Sequence, residues 1–340
     1  MGWPLLTGGH VFAPEDRGIA DVLVYGREVV AVRPNLRAPT GMGGGETVDL
    51  TGRIVLPGLI DPHIHVMGAS GLGGPTTRST DLQLERIAGA GVTTVVSPLG
   101  ADSLSRGIPG LLARAAALER EGIGAYCYTG GWWSPVPTLS GNPQADVAYL
   151  DRVLGVKVAV SEPLAPVFGI EELCRLAHAA WTGGLLAGKR AVLHAHVGDL
   201  AEGLTPLREV QRRTGIPADC LVATHVNRNP DLWRQAMEYG KGGGSIDLTT
   251  MQRPETGHAH AIPAAQAIRA ALAAGVPAAR MTVSTDSGVP YPRLDAAGRV
   301  TALYQAGPEA ILGTLRELVQ AGVAWGEAAA VATLNTATLL

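Results

Sequence analysis

Short apolar runs alternate with turns over the first 55 residues: Leu5-Leu6, then Val22-Leu23-Val24, then Val29-Val30-Ala31-Val32. Tyr25-Gly26-Arg27 between the last two predicts a hairpin, and the tract Gly41-Met42-Gly43-Gly44-Gly45 predicts a loose connection onward. Such a β unit is too short to stand alone and is expected to borrow strands from elsewhere in the molecule. From Arg53 the pattern changes. Strand-like runs recur at 54–64, 92–98, 123–129, 153–160, 191–197, 220–226, 245–249 and 281–286. Helix-compatible stretches lie at 80–90, 108–121, 170–182, 204–214, 231–240 and 261–274, followed by 308–321 and a closing segment at 326–340. This alternation predicts βα units and a parallel sheet. Eight such strands predict an α/β fold of the (β/α)8 TIM-barrel type rather than an open doubly wound sheet. The expected organisation is a small N-terminal β domain over 1–55 and a barrel over 56–340.

Composition narrows the function classes. Lys plus Arg number 27 and Asp plus Glu 30, a net charge of -3 without charge runs, so neither nucleic acid nor a membrane surface is an expected partner. A small, near-neutral molecule is. Cys127, Cys174 and Cys220 form no C-x-x-C pair, which argues against a zinc ribbon or a disulfide framework, and Cys127 and Cys220 are expected to pack in apolar strands. The chain shows no basic segment leading into a long apolar one and no uninterrupted run of ~18 apolar residues, so a cytoplasmic location is expected. Gly71-Leu72-Gly73-Gly74 and Lys241-Gly242-Gly243-Gly244 lack the spacing of a phosphate-cradling loop.

In a barrel the strand C-termini converge on one face, where enzymes of this architecture place their active sites. The polar residues there are His63 and His65 from the first strand, Lys157 from the fourth, His194 and His196 from the fifth, Thr224 and His225 from the sixth, and Asp286 from the eighth. His63 and His65, two apart, are expected to leave one face of a strand, where two imidazoles can share a metal ion. Four histidines, a lysine and an aspartate at one mouth suit two divalent cations bridged by hydroxide. Lys157 places an ammonium inside the apolar run Val153-Leu154-Gly155-Val156-Lys157-Val158-Ala159-Val160, and its charge must be balanced or removed. A salt bridge to Asp247 is one solution. Carbamylation by carbon dioxide, giving an anionic oxygen ligand able to bridge two metals, is the other and the preferred one. Of His194 and His196, which share a face, His196 at the strand end is the preferred ligand and His194 is read as a supporting or core residue. Asp286 serves either as a helix cap or, preferably, as metal ligand and proton shuttle. His10 and His178 are expected at the surface or in packing.

Together these residues resemble the amidohydrolase superfamily, whose binuclear members draw two His from strand one, a carbamylated Lys from strand four, one His each from strands five and six, and an Asp from strand eight. Residues 50–66, around Asp61-Pro62-His63-Ile64-His65, are similar to its signature. Within it, Gly74-Pro75-Thr76-Thr77-Arg78, the stretch 99–106, Gly155-Val156-Lys157, Gly183-Gly184-Leu185-Leu186 and Thr224-His225-Val226-Asn227-Arg228-Asn229 are similar to isoaspartyl (β-aspartyl) dipeptidases. The resemblance implies two divalent metal ions, zinc first, held by His63, His65, carbamylated Lys157, His196, His225 and Asp286. Arg228 would anchor a substrate carboxylate, and Ala101, in the stretch 99–106, is counted with the substrate contacts. Leu72 stands where the dipeptidases carry a glutamate for the substrate's α-amino group, Trp132 or Trp133 where they carry a tyrosine, and Leu164 where they carry a second arginine.

The family also closes its small β domain with strands after the barrel. This chain stops at Leu340, so either the C-terminal part of that domain is missing or the domain is built from the N-terminal strands alone, and its strand edges are expected to be covered in a homo-oligomer. The implied activity is hydrolysis of an amide or isopeptide bond in a small substrate, most like a β-aspartyl dipeptidase, with a metal-bridged hydroxide attacking and Asp286 carrying the proton to the leaving nitrogen. A cyclic-amide hydrolase of the hydantoinase or dihydroorotase kind is the first alternative, and a non-catalytic barrel scaffold the second.

Overall fold

The computed structural model describes residues 2–41, 43–69, 74–294, 300–305 and 307–340. Near the N-terminus, β1 (Pro4–Phe12), β2 (Asp16–Tyr25), β3 (Glu28–Arg33), β4 (Glu46–Asp49) and β5 (Ile54–Val55) form one sheet. The β2–β3 hairpin turns at Gly26, whose φ of 63° is a conformation that glycine adopts without strain. β1 pairs with β2 antiparallel along one edge and with β4 and then β5 in parallel along the other. The strands this unit was expected to borrow therefore come, among the described residues, from its own connection to the barrel. Val11, Ala20 and Val22 form its apolar cluster, with Leu6, Val24 and Val55 packed on it.

The second sheet holds β6 (Leu59–Asp61), β7 (Val92–Ser97), β8 (Gly124–Gly130), β9 (Val153–Val160), β10 (Val192–Val197), β11 (Leu221–Thr224), β12 (Ser245–Thr249) and β13 (Met281–Ser284), in sequence order. Each pair of neighbours is parallel. β9 to β13 are buried along their whole length, as strands must be when helices cover one face and a packed interior the other. Val96, Tyr128, Leu154, Val192 and Val222, one from each of five successive strands, pack inside with Leu339 of the closing helix (Leu334–Leu339). Between β13 and β6 the barrel closes through loop backbone. Val331 and Ala332 carbonyls accept from Val283 N–H (3.2 Å) and Ile60 N–H (2.8 Å). Beyond the strand ends, Asp286 N–H donates to the His63 carbonyl (2.9 Å) and His65 N–H to the Ser287 carbonyl (2.8 Å). The fold is thus a (β/α)8 barrel carrying a small N-terminal β domain.

Several expected boundaries are corrected. The run 54–64 is not one strand: Ile54–Val55 joins the small sheet, and Leu59–Asp61 alone enters the barrel. Pro57 interrupts the run and Pro62 ends β6, because proline offers no N–H to a ladder. His63 and His65 therefore lie past the strand, and alternation along a strand does not orient them. β11 stops before His225 and β13 before Asp286 in the same way. The pattern also omitted the short helix Pro143–Tyr149, capped by Asn142, and the antiparallel ribbon of β14 (Pro290–Leu294) and β15 (Val300–Gln305). The segment expected at 326–340 is two helices, Trp325–Ala330 and Leu334–Leu339. All three cysteines are buried and free. No helix among the described residues is long and apolar enough to cross a membrane.

Candidate metal centre

The backbone turns sharply where the polar side chains gather. His225 (φ 67°), Asp286 (φ 55°) and Ser161 (φ 52°), just past β11, β13 and β9, are left-handed. Such conformations cost about 1–3 kcal/mol each in non-glycine residues and persist where the surroundings dictate them. Gly288 (φ 94°) serves the same junction: a Cβ there would stand 2.3 Å from the His65 carbonyl oxygen, so the first and eighth strand ends could not meet. Asp61 fastens them further, its carboxylate accepting from the backbone N–H of His63 and of Thr285 and from the Thr285 hydroxyl.

One ligand atom from each of His63, His225 and Asp286 lies within 4.8 Å of the others. Asp286 Oδ1 is 3.1 Å from His65 Nε2 and 3.5 Å from His63 Nε2, while its Oδ2 accepts from the Tyr291 hydroxyl at 2.7 Å. The His225 and His196 rings are 4.5 Å apart. His225 engages Thr249 Oγ1 through Nδ1 (2.6 Å), which leaves Nε2 for the centre. His196 engages Glu162 through Nε2 (2.9 Å), which leaves Nδ1. His194 contacts His63 Nδ1 through Nε2 at 3.3 Å and stacks on Tyr128.

Three atoms here have no hydrogen-bond partner among the described residues although their side chains are buried: His65 Nδ1, Lys157 Nζ and His225 Nε2. Each such atom costs about 1–3 kcal/mol in a folded protein. His63, His225 and Asp286, each with a ligand atom within 4.8 Å of the others, and the unpartnered Lys157 Nζ fit a divalent metal site. Burial pushes the His63, His194 and His225 imidazoles well below their ordinary range, so they stay neutral, the form that ligates metal. Burial also brings the Lys157 ammonium down to about 7, against the pull of Asp286 and Asp247. For Asp286, burial works upward, but hydrogen bonding and charge from His65, with Tyr291 behind, hold its carboxyl below the ordinary range.

The salt bridge considered for Lys157 is not formed. Asp247 instead accepts from Thr224 Oγ1 (2.7 Å), Thr282 Oγ1 (2.8 Å) and Ser284 Oγ (2.6 Å), a network linking β11, β12 and β13 beneath the centre. Asp247→Ala is expected to lower stability by roughly 3 kcal/mol, since three buried hydroxyls lose their acceptor. Urea unfolding of metal-free protein measures it.

A cavity of about 310 Å³ opens over the centre. Ala101, Trp132, Leu164 and Arg228 line it. The Trp132 ring lies 4.5 Å from His196, whereas Trp133 donates its Nε1–H to the Ala101 carbonyl (2.7 Å). Arg228 pairs with Asp199 (3.1 Å) and stands 3.9 Å from Glu162. Leu72 lies outside the described residues. His10 pairs with Asp16 in the small sheet, and His178 is exposed on the helix Ile170–Ala187. The sequence reading passed over Glu162, Gln252, His258 and Tyr291, which also line the cavity. Glu162, just past the β9 end, could have been found by the rule that found the others; Tyr291 comes from the ribbon, for which no pattern was visible.

No family model matches the chain. Over 97 residues it is 36% identical to the dihydroorotase of Streptococcus thermophilus, a match covering 27% of this chain and 21% of that enzyme. The matched part thus spans about a fifth of the curated relative's length (21%). The crystal structure of a β-aspartyl dipeptidase from Fervidobacterium islandicum AW-1, in complex with β-Asp-Leu dipeptide, aligns with a TM-score of 0.90 at 32% identity, covering 99% of this chain and 86% of that one. A D-hydantoinase from Thermus sp. shares the fold alone, with a TM-score of 0.63 at 17% identity over 99% of this chain and 81% of that one. With 32% identity over 99% of this chain and 86% of a solved dipeptidase, the chain belongs to the amidohydrolase superfamily and resembles its β-aspartyl dipeptidases.

Proposed function

We propose that the protein hydrolyses the amide bond of a small carboxylate-bearing substrate, with a β-aspartyl dipeptide as the first reading. The observation that carries this is the gathering of His63, His225 and Asp286 ligand atoms within 4.8 Å of one another, with Lys157 Nζ and His225 Nε2 buried and unpartnered among the described residues. A barrel kept only as a scaffold has no reason to bear that cost. His63, His65, Lys157, His196, His225 and Asp286 are the residues assigned to hold two divalent ions, zinc by the character of the donors. When bound, the ions polarise a carbonyl and acidify water. Lys157, with its ammonium brought down to about 7 by burial, offers a neutral amine near neutral pH, the form that carbon dioxide carbamylates. Asp286 Oδ1 and Oδ2, oriented by His65 and Tyr291, take a proton and return it to the leaving nitrogen.

Arg228 binds a substrate carboxylate by a charge-assisted contact, exchanging part of its pairing with Asp199. Arg228→Ala is expected to raise KM about 10–100-fold with kcat changed less than about threefold, the pattern of lost ground-state binding. Steady-state kinetics on whichever amide the wild type cleaves decides it. Similarity to a dihydroorotase favours a second reading, cyclic-amide hydrolysis. Metal content per subunit, measured with turnover of a β-aspartyl dipeptide, a hydantoin and an N-acyl amino acid on one sample, tests both. Metal-loaded protein that cleaves none of them would refute the hydrolase assignment.

A further inference from the structure

Just past β9 stands a carboxylate that the proposed hydrolysis does not use. Glu162 is 7% exposed and lines the 310 Å³ cavity. Its Oε1 accepts from the Leu164 N–H at 3.1 Å, which ties the side chain to its own loop. Its Oε2 meets His196 Nε2 at 2.9 Å. Gly198 makes room for that approach, since a Cβ there would stand 2.7 Å from Oε2 and 2.4 Å from the Glu162 Cα. Burial works to raise the Glu162 carboxyl, but its contacts with His196, the Leu164 N–H and Arg228 hold it below the ordinary range. An ionised carboxylate only accepts, so it draws the imidazole hydrogen onto Nε2 and leaves the Nδ1 lone pair for the centre.

A second group competes for the same nitrogen. The Arg228 guanidinium comes within 3.4 Å of His196 Nε2 and 3.9 Å of Glu162 Oε2. A guanidinium only donates, so it favours a lone pair on Nε2 and a hydrogen on Nδ1, where the hydrogen would block ligation. Glu162 is the nearer of the two to Nε2, and it also balances the charge of its competitor.

We propose that Glu162 is a positioning residue that sets the His196 tautomer against Arg228, so that an arginine meant for a substrate carboxylate can stand beside a metal ligand without disabling it. This rests on the hydrolase reading, which gives His196 and Arg228 their roles, and adds the group that lets them be neighbours. The test is the zinc affinity of the full chain, stripped of metal and titrated against a chelator with bicarbonate present, which needs no turnover. Glu162→Met is expected to weaken it about 10–100-fold. Adding Arg228→Met is expected to restore about tenfold of that loss, the range of one hydrogen bond, because the competing donor is gone. A role in packing alone would give no such recovery, since the second substitution removes one more contact. Arg228→Met by itself should leave zinc affinity unchanged or tighter. Glu162→Gln serves if the methionine variant fails to fold: a neutral amide is a weaker acceptor, so a smaller loss with the same recovery is expected. No zinc binding by wild type, unchanged affinity in whichever Glu162 variant folds, or a loss that Arg228→Met does not relieve would overturn the proposal. If zinc affinity responds as expected while wild type cleaves none of the amides, the positioning role stands and the hydrolase reading fails.

Discussion

Replacing Lys157 with methionine is expected to abolish turnover and metal loading while making the metal-free protein more stable, by about 1–3 kcal/mol. Lys157 is 1% exposed in β9, and its Nζ finds no partner among the described residues. Methionine has nearly the same reach without a group to desolvate. A residue kept only for packing would not be improved so simply; one kept for chemistry would. Metal analysis on protein purified without chelator, turnover, and denaturant unfolding after metal removal read the three effects separately. Unchanged metal content and turnover would eliminate the bridging role given to Lys157. A loss of metal-free stability would mean that the amine has a partner in the folded protein.

Much of the barrel was legible because its strands are buried on both faces and therefore read as continuous apolar runs. Val153–Val160 and Ser245–Thr249 lie where the runs at 153–160 and 245–249 placed them. Lys157 stood out for the same reason, since a charged group inside such a run is costly and calls for an explanation. The ends of strands were less legible. Pro62, and the left-handed residues His225 and Asp286, mark where the ladder stops, two or three residues before the pattern ends. Apolar periodicity registers burial, and burial continues past the last ladder bond. His63 and His65 were singled out as a pair, but their positions depend on Asp61, Ser287 and Gly288, and period-two alternation plays no part.

The walls of the cavity were least legible. Glu162, Gln252, His258 and Tyr291 follow β9 and β12 or belong to the β14–β15 ribbon, where loop geometry places each side chain and no period marks it. Trp132 and Trp133 show how little adjacency decides: one lines the cavity beside His196, and the other holds the Ala101 carbonyl. This division follows from the architecture. Strands repeat, so the residues that form the centre can be read from a pattern, while the loops that choose the substrate vary independently of it.

Asp286→Asn is expected to lower kcat about 10³-fold, within the range for a positioned acid–base group, with KM nearly unchanged. The substitution keeps the volume and can keep the contacts of Asp286 with His65 (3.1 Å) and Tyr291 (2.7 Å), so the fold and the approach of the first and eighth strands should survive. What it removes is the basic oxygen. Because Asp286 also lies among the assigned ligands, metal content must be measured on the same sample. A fall in kcat with metal retained assigns the loss to proton transfer. A fall that tracks metal loss and is reversed by excess metal would confine Asp286 to ligation, and the proton would need another carrier. Glu162 would then be the group to examine, since it lines the same cavity and its hydrogen bond with His196 holds its carboxylate ionised against burial. Full activity in the asparagine variant would remove Asp286 from the chemistry altogether.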